Sequence, residues 1–433
     1  MSKKTIVFAT AAYSLAETQR MTQIAAEVES NGVFNALVVH YAPRELKHSF
    51  AKIIEDRGLK EKILKPYVTK ELADYIFAVD RGEKAGALLP DSVLKERIKT
   101  ETGFLQTADI ACVVTGFCLS FYYSCRIMDI PIVSVYSGSF NWWFSRGQKE
   151  RRLPDMMSSG IFKIMPKKLG FAMMNWFSYK YSGMFRKGNT LLKKRGKAPF
   201  KSIMDFLGGD YYFMSDIPEY IPIKDLPENV FYTGALIGRL DADIPDAALR
   251  AREFADSRKW PLIYMSMGSS GRPKFIKKCL EIFRGEEFAV ISPMKTMIGE
   301  LTVKGFRPPE NVFLCDWLPA DKVNPMCDAA LIHGGQGTVY TAILSRTPFC
   351  AIGNGNMEQE FNAEAAAAGG FAKLFRRTSV KPAQLISELK ELLADSEAKR
   401  KIEKMAELLE RPEWNGEKRA AKTLERLFGG DKE

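Results

Sequence analysis

The sequence predicts an α/β protein with two doubly wound parallel sheets, one after the other along the chain. Short apolar runs suited to buried strands alternate with amphipathic stretches suited to helices. These runs fall into two series, separated by the proline-bearing stretch IPEYIPIKDLPEN at 217–229. We therefore expect one domain over residues 1–220 and a second over residues 221–433.

Each series contains five predicted strands. The first series is TIVFATA at 5–11, NALVVHY at 35–41, YIFAV at 75–79, IACVVTG at 110–116 and PIVSVYS at 131–137. The second is PLIYMSMG at 261–268, FAVISP at 288–293, NVFLCDW at 311–317, AALIHGG at 329–335 and PFCAIGN at 348–354. An amphipathic helix over about 416–428 closes the chain, and we expect it to pack back on the N-terminal domain.

Composition indicates a globular protein of the cytoplasm. The chain has 433 residues, of which 46% are hydrophobic and 27% charged. No apolar run approaches the roughly 20 residues that a membrane-spanning helix needs, and the start leads directly into a strand. Seven cysteines, an odd number without metal-ligand spacing, predict reduced core thiols and no metal site.

The excess positive charge lies in one segment. The net charge is +11, and residues 141–205 contain 15 Lys and Arg against 3 acids, a net +12. Aromatic and methionine side chains accompany it, including Trp142, Trp143 and Phe144. This mixture suits an acceptor-binding wall, an amphipathic helix at a membrane surface, or a helical hairpin with a solvated basic face. No nucleic-acid-binding motif accompanies the charge, so we expect no nucleic acid partner.

A glycine-rich turn, HGGQGT at 333–338, joins a predicted strand to a predicted helix. Gly334, Gly335 and Gly337 remove side chains, so backbone N–H groups can approach an anion at the positive end of a helix. The spacing is neither the dinucleotide fingerprint nor an ATPase P-loop. Taken alone, the pattern fits either a phosphate site or a tight strand-to-helix turn.

Four segments in order resemble the donor-binding half of sugar-nucleotide glycosyltransferases with the two-domain GT-B fold. The segments are PLIYMSMGSSG at 261–271, NVFLCDWLP at 311–319, HGGQGT at 333–338 and NMEQEFNA at 356–363. The pattern is similar to the UDP-glycosyltransferase and macrolide-glycosyltransferase-like superfamily, which includes vancomycin-type and sterol enzymes. The resemblance implies two facing Rossmann-like domains with a cleft between them.

The resemblance also implies a set of donor-binding residues. It assigns the diphosphate to the glycine-rich turn, the base to a tryptophan, and the sugar to an acidic residue followed by glutamine. The implied residues are Gly268, Ser269, Trp317, His333, Gly334, Gly335, Gln336, Gly337, Thr338, Glu358 and Gln359. Ala320 replaces a glutamine that many members carry, which leaves the nucleotide open between a UDP-sugar and a TDP-sugar.

The N-terminal half departs from the superfamily at the position of the catalytic base. Members usually carry a histidine after the first strand and an aspartate after a later one. Aligning TAAYSLAETQRMTQIAAEV at 10–28 places Glu17 at the histidine position, and Gly116 takes the place of the aspartate. A carboxylate can act as base without an orienting aspartate, so Glu17 is the candidate base. A first-turn carboxylate is also what helix electrostatics favours.

These observations predict an inverting, metal-independent glycosyltransferase. It would move a sugar from a nucleotide donor to a hydroxyl of a hydrophobic or amphipathic acceptor. The nucleotide sugar is a co-substrate, and we expect no cofactor. The acceptor wall would include Trp142, Trp143 and Phe144. Two alternatives stay open: a catalytically silent nucleotide-sugar-binding or partner subunit, and a glycolipid synthase in peripheral contact with the inner membrane face.

Overall fold

Buried apolar strands form two separate parallel sheets. The computed structural model describes residues 3–46, 49–80, 84, 86–140, 153–155, 164–238, 242–268 and 271–430. The first sheet contains β1 Thr5–Ala9, β2 Asn35–His40, β3 Lys60–Ile63, β4 Ile110–Thr115, β5 Ile132–Tyr136, β6 Tyr211–Met214 and β7 Val230–Tyr232. The second contains β8 Leu262–Ser266, β9 Ala289–Ser292, β10 Val312–Leu314, β11 Ala329–Ile332, β12 Phe349–Ile352 and β13 Ala372–Phe375.

Both sheets are doubly wound, as predicted. The strand order is β3-β2-β1-β4-β5-β6-β7 in the first sheet and β10-β9-β8-β11-β12-β13 in the second. Every strand pair is parallel. The winding direction reverses between β1 and β4 and again between β8 and β11. These two switch points are where open α/β sheets bind ligands.

One predicted strand is wrong, and four strands were not predicted. The run at 75–79 lies inside a helix, Lys70–Asp80, that buries Ala73 and Ile76 one turn apart. The third strand is instead β3, whose sequence KEKI is polar because it is an edge strand with alternately exposed side chains. Strands β6, β7 and β13 were also not predicted.

Helices connect the strands. They are α1 Leu15–Asn31, α2 Lys52–Asp56, α3 Lys70–Asp80, α4 Asp91–Leu105, α5 Ser120–Met128, α6 Lys167–Lys180, α7 Arg186–Lys194, α8 Ile203–Leu207, α9 Asp246–Arg258, α10 Pro273–Glu281, α11 Gly299–Val303, α12 Ala320–Val323, α13 Gln336–Leu344, α14 Met357–Ala368, α15 Pro382–Ala394, α16 Ser396–Leu409 and α17 Gly416–Phe428. Helix α1 shows why they form: its buried residues Met21, Ile24, Ala25 and Val28 share one face. That face packs in one cluster with β1 and β2.

The chain divides into two compact units whose limits differ from the expected domains. The first unit comprises Met1–Lys149, Met165–Gly238 and Pro412–Glu433. The second comprises Glu150–Ile164 and Arg239–Arg411. The first unit extends past residue 220 because β7 pairs with β6 and completes the first sheet.

The closing helix α17 belongs to the first unit. It packs beside α1, and Ala420, Ala421 and Leu424 are fully buried in the same cluster as Met21 and Ile24. The start of α17 is equally close, because a Cβ at Gly416 would lie 2.9 Å from a side-chain carbon of Leu236. The C-terminal helix therefore contributes to the core of the N-terminal sheet.

The structure places the cysteines mostly in the core. All seven cysteines are free thiols, and six of them are buried. Among the described residues, no helix combines the length and apolar character that crossing a membrane requires.

Candidate functional site

The switch point of the second sheet brings together two of the four motif segments. Strands β8 and β11 are neighbours, and Ser266 pairs with Ile332 at their carboxyl ends. The chain then continues into Gly268 after β8 and His333 after β11. Gly268 has φ +63°, and a Cβ there would lie 2.5 Å from Nε2 of His333. Glycine is therefore required at 268 for the histidine ring to fit.

His333 is a neutral, buried side chain. It is 8% exposed, and burial lowers its pKa from 6.5 to about 4, with a smaller opposing effect from the Ser266 backbone. A Cβ on Gly335 would also collide with Nε2, so glycine backbone flanks the ring on two sides. At neutral pH the imidazole is uncharged and offers one N–H donor, not a positive charge.

The glycine-rich turn ends in a helix start. Gly334 has φ +82°, Gly335 is the N-cap residue, and α13 begins at Gln336, which is buried. Thr338 donates its hydroxyl to the Gly335 carbonyl at 2.8 Å. A Cβ on Gly337 would meet no atom within 4 Å, so the space beside this first turn is open. The turn therefore presents a positive helix end to open space, which suits an anion.

The predicted sugar-binding pair lies in the first turn of a helix. Asn356 caps α14 by accepting the Glu358 N–H at 2.9 Å, so Glu358 and Gln359 occupy the first turn. Gln359 is buried, and its Oε1 accepts the Asn354 N–H at 3.1 Å. Glu358 is half-buried and lies 3.5 Å from Nδ2 of Asn362. The cap fixes the turn, and Glu358 is the more accessible of the pair.

This helix turn packs directly on the glycine-rich turn. A Cβ on Gly334 would overlap the carbonyl oxygen of Gln359 and would lie 3.2 Å from Cβ of Ala363. The two segments, 25 residues apart in sequence at positions 334 and 359, are thus in backbone contact. The second unit therefore holds the predicted diphosphate and sugar residues side by side.

Trp317 lies in the loop that follows β10. Its side chain is 44% exposed, which is unusual for so large an apolar ring. An accessible indole face can stack on a nucleobase, an interaction worth about 0.5–1.5 kcal/mol beyond area burial.

The first sheet has its own group at its switch point, and that group is Glu17. The N–H of Ala11, after β1, donates to Oε2 of Glu17 at 3.2 Å. The N–H of Phe117, after β4, donates to Oε1 at 2.6 Å. One carboxylate therefore bridges the carboxyl ends of the two strands at which the winding reverses. Each oxygen keeps a further lone pair for another proton donor.

Burial shifts the pKa of Glu17 toward neutral pH. Its side chain is 5% exposed, and this burial raises the pKa from 4.5 to about 7. The Ala11 and Phe117 N–H groups oppose the shift, as do the charges of Arg20 and Arg97. A carboxylate with a pKa near 7 is a stronger base than an ordinary glutamate and is still ionised at mildly alkaline pH.

Gly116 makes room for this carboxylate. A Cβ at 116 would lie 3.5 Å from Oε1 of Glu17 and 3.4 Å from the Val135 carbonyl. A longer side chain, such as an aspartate, would therefore compete with Glu17 for the same space. The Tyr136 and Tyr122 hydroxyls donate to the Gly116 carbonyl and fix this strand end from the other side.

Sequence comparisons match this chain to one family model and to curated glycosyltransferases. Residues 302–415 match the family model of the erythromycin biosynthesis protein CIII-like C-terminal domain. A PGL/p-HBAD biosynthesis glycosyltransferase of Mycobacterium tuberculosis is 25% identical over 301 residues, covering 67% of this chain and 64% of that protein. A PGL/p-HBAD biosynthesis rhamnosyltransferase of Mycobacterium bovis is 22% identical over 328 residues, covering 72% and 67%.

Solved structures share the fold over nearly the whole chain. The glycotransferase of kitacinnamycin matches with a TM-score of 0.67 at 16% identity, covering 99% of this chain and 100% of that one. Medicago truncatula UGT71G1, solved with UDP-glucose, matches with a TM-score of 0.64 at 13% identity, covering 98% of both chains. The chain is therefore similar in sequence to these glycosyltransferases, and similar in fold to solved members of the UDP-glycosyltransferase and macrolide-glycosyltransferase-like superfamily. Its fold is GT-B.

Some predicted site residues lie outside the described part of the chain. They are Ser269 in the donor segment and Trp142, Trp143 and Phe144 in the basic segment. The roles assigned to them stay predictions. Among the described residues, no group of three or more His, Cys, Asp and Glu side chains could hold a metal ion.

The second unit also contains a buried ionic cluster that the sequence did not predict. Asp155 is 4% exposed, and its N–H donates to Oε2 of Glu360 at 2.8 Å. Arg376 pairs with Asp155 at 3.3 Å. These residues are 205 and 221 positions apart in sequence, and no local pattern links them.

Proposed function

We propose that this protein is an inverting glycosyltransferase. It transfers a sugar from a UDP- or TDP-sugar to a hydroxyl of a hydrophobic or amphipathic acceptor, with Glu17 as the base. The observation that carries the proposal is the glycine-lined helix start at the β8/β11 switch point, in backbone contact with the Glu358–Gln359 turn. The solved UGT71G1, which is similar over 98% of this chain, holds UDP-glucose.

The donor half of the mechanism is electrostatic. As the bond between the anomeric carbon and the diphosphate oxygen breaks, negative charge grows on the departing nucleoside diphosphate. N–H groups and the dipole at the start of α13 stabilise that charge without a metal ion. His333 lies beside the turn as a neutral side chain, and Glu358 accepts hydrogen bonds from the sugar hydroxyls.

The acceptor half needs a base. The carboxylate of Glu17 removes the hydroxyl proton of the acceptor while the acceptor oxygen forms its bond to the anomeric carbon. Attack on the face opposite the diphosphate inverts the configuration of that carbon. The proton remains on Glu17, and the nucleoside diphosphate leaves with the electron pair of the broken bond.

The pH dependence of turnover tests the assignment of the base. Because only the ionised form of Glu17 accepts a proton, we expect kcat/KM to fall about tenfold per pH unit below the pKa of the free enzyme and to level off above it. The raised pKa places that midpoint at about 7. The measurement is a pH profile of sugar transfer over a broad acceptor panel. A plateau extending down to pH 5 would exclude Glu17 as the base.

A catalytically silent nucleotide-sugar-binding or partner subunit is the alternative for the same fold. The absence of the superfamily's His and Asp at positions 17 and 116 favours it. Under this alternative, the protein binds a sugar nucleotide and no acceptor in the panel is glycosylated. Turnover with any acceptor excludes it.

The described part of the basic segment favours an acceptor or partner at an anionic lipid surface. Helix α6 exposes Leu169, Met173, Trp176 and Phe177, spaced so that they share one face. The exposed fractions are 55%, 36%, 55% and 43%. Lys167, Lys168 and Lys180 lie at the two ends of the same helix. An apolar face flanked by lysines is typical of helices that lie in the membrane interface.

Vesicle binding tests this surface. We expect the full-length protein to co-sediment with phosphatidylserine vesicles, and salt to weaken that binding, because each lysine contributes about 1 kcal/mol near an anionic surface. The double substitution W176S/F177S should release the protein from the vesicles, because it removes two apolar rings from the face. The control L249S removes a 50% exposed side chain from the second unit and should leave binding unchanged. Vesicle binding that is changed neither by salt nor by W176S/F177S would contradict the proposal.

A further inference from the structure

Residues 153–155 form a short strap on the second unit. The chain before residue 150 and after residue 164 belongs to the first unit, whereas the strap belongs to the second. Arg376 holds it at two points, donating from Nη2 to the Leu153 carbonyl at 3.0 Å and pairing through Nη1 with Asp155 at 3.3 Å. Pro154 between them is buried.

The strap is fastened to the turn that carries the predicted sugar-binding pair. Glu360 directly follows Gln359 in the first turn of α14, and its Oε2 accepts the Asp155 N–H at 2.8 Å. On its other side, Cγ of Glu360 lies 2.7 Å from where a Cβ of Gly353 would stand. The side chain is thus held between the loop after β12 and the strap.

Burying these charged side chains costs electrostatic free energy, which indicates that the cluster serves to fix the geometry of the chain. Asp155 is 4% exposed, and burial raises the pKa of Glu360 to about 7, with the negative charge of Asp155 adding to the shift. The guanidinium of Arg376 pairs with Asp155, while Glu360 is held by the backbone N–H of Asp155. Buried ion pairs of this kind contribute little net stability, whereas losing one partner leaves an uncompensated charge. Their best-attested use is to fix one arrangement of the chain.

The same turn is also fixed from the glycine-rich side. The Gln359 carbonyl packs on Gly334, where a Cβ would overlap it. Asn356 caps the helix and Asn354 donates to Gln359, and the strap adds support to the same turn through Glu360. Without the strap, the side of the Glu358–Gln359 turn that does not contact the glycine-rich turn would lose this support.

We propose that Asp155 and Arg376 are positioning residues for the donor sugar: by holding Glu360 they set the place of Glu358 and Gln359 relative to the diphosphate turn. The inference rests on the proposed function, since it needs a sugar nucleotide in the second unit. It predicts that the strap affects recognition of the sugar and not of the nucleoside diphosphate.

Calorimetric titration of the full chain with UDP-glucose and UDP, and in parallel with TDP-glucose and TDP, tests the proposal. We expect R376M to weaken binding of the nucleotide sugar about tenfold, equivalent to about 1.4 kcal/mol. Binding of the free nucleoside diphosphate should stay within about twofold, because the bonds of the strap go to Arg376 and Glu360 and not to the glycine-rich turn that would hold the diphosphate. The control R346M breaks an exposed pair with Glu410 in the same unit and should change neither affinity.

A second variant separates positioning from misfolding. R376M alone leaves the buried Asp155 carboxylate without its cation, whereas D155N/R376M removes both charges together and should fold even if R376M does not. It should show the same selective loss for the nucleotide sugar. An unchanged ratio of the two affinities in both variants overturns the proposal, as does an equal loss of both ligands. If the wild-type chain binds neither ligand of either pair, the proposed function itself fails.

Discussion

Glu17→Gln abolishes sugar transfer and leaves nucleotide binding intact; this is the result we expect from the bridging carboxylate of the first sheet. A neutral amide cannot accept the acceptor's proton, and positioned base catalysis typically contributes about 10²–10⁴-fold to the rate. Because Glu17 belongs to the first unit, the donor residues of the second are untouched. Initial rates of transfer and calorimetric titration with UDP and TDP measure the two effects separately.

Glu29→Gln is the matched control for this substitution. Glu29 lies at the other end of α1 and accepts the Ala36 N–H at 2.6 Å, so it is also a carboxylate bonded to a strand N–H. Its replacement should leave transfer unchanged. Transfer by E17Q at the wild-type rate would remove Glu17 from the mechanism, whatever the outcome for E29Q.

Gly334→Ala should disrupt both the donor turn and its packing on α14. Residue 334 has φ +82°, a region that costs a non-glycine residue about 1–3 kcal/mol. The added Cβ would also overlap the Gln359 carbonyl, a backbone atom that cannot rotate away. We expect a lowered unfolding temperature and a loss of UDP and TDP affinity of more than about tenfold. Thermal unfolding with and without nucleotide measures both.

Gly337→Ala separates the two reasons for having glycine in this turn. No atom lies within 4 Å of a Cβ at 337, and alanine favours a helix over glycine by about 1 kcal/mol. The variant should therefore fold at least as well as the wild-type protein. If the open space beside 337 receives the diphosphate, the methyl group should still weaken nucleotide binding. Full binding by both G334A and G337A would show that the glycines serve only the turn.

The buried strands could be located in the sequence because parallel strands covered on both faces are continuous apolar runs. Strands such as β1, β4, β8 and β11 are of this kind and were predicted. The polar edge strand β3 was not, and the run at 75–79 was misassigned because a short apolar run fits a strand or a buried helix face equally well. The unit boundary was misplaced for a related reason: β7, with three residues, lies beyond the prolines that suggested a linker.

The residues of the candidate site were predictable where a motif is contiguous. HGGQGT and NMEQEFNA are local patterns, and the structure places them in contact through Gly334 and Gln359. The placement of Glu358 and Gln359 in a helix was missed because Asn356, the capping residue, was not recognised as a helix start. The raised pKa of Glu17 follows from burial at two strand ends, which only the folded chain creates.

The strap has no counterpart in the sequence. Residues 141–205 contain 15 basic residues and three acids, one of which is Asp155. Nothing in that composition identifies Arg376 as the partner of Asp155. Contacts over more than 200 residues depend on how the chain returns to the second unit, so they appear only in the structure.

The most direct test of the central claim is the thermal stability of the wild-type chain against a panel of UDP-sugars and TDP-sugars. The claim is that the second unit holds a sugar nucleotide at the start of α13. A ligand that binds the folded chain at 100 times its dissociation constant adds about 2.7 kcal/mol to the free energy of unfolding. We expect at least one sugar nucleotide to raise the unfolding temperature in this way, and the effect to be absent in G334A. A panel in which no sugar nucleotide stabilises the wild-type protein would contradict the claim.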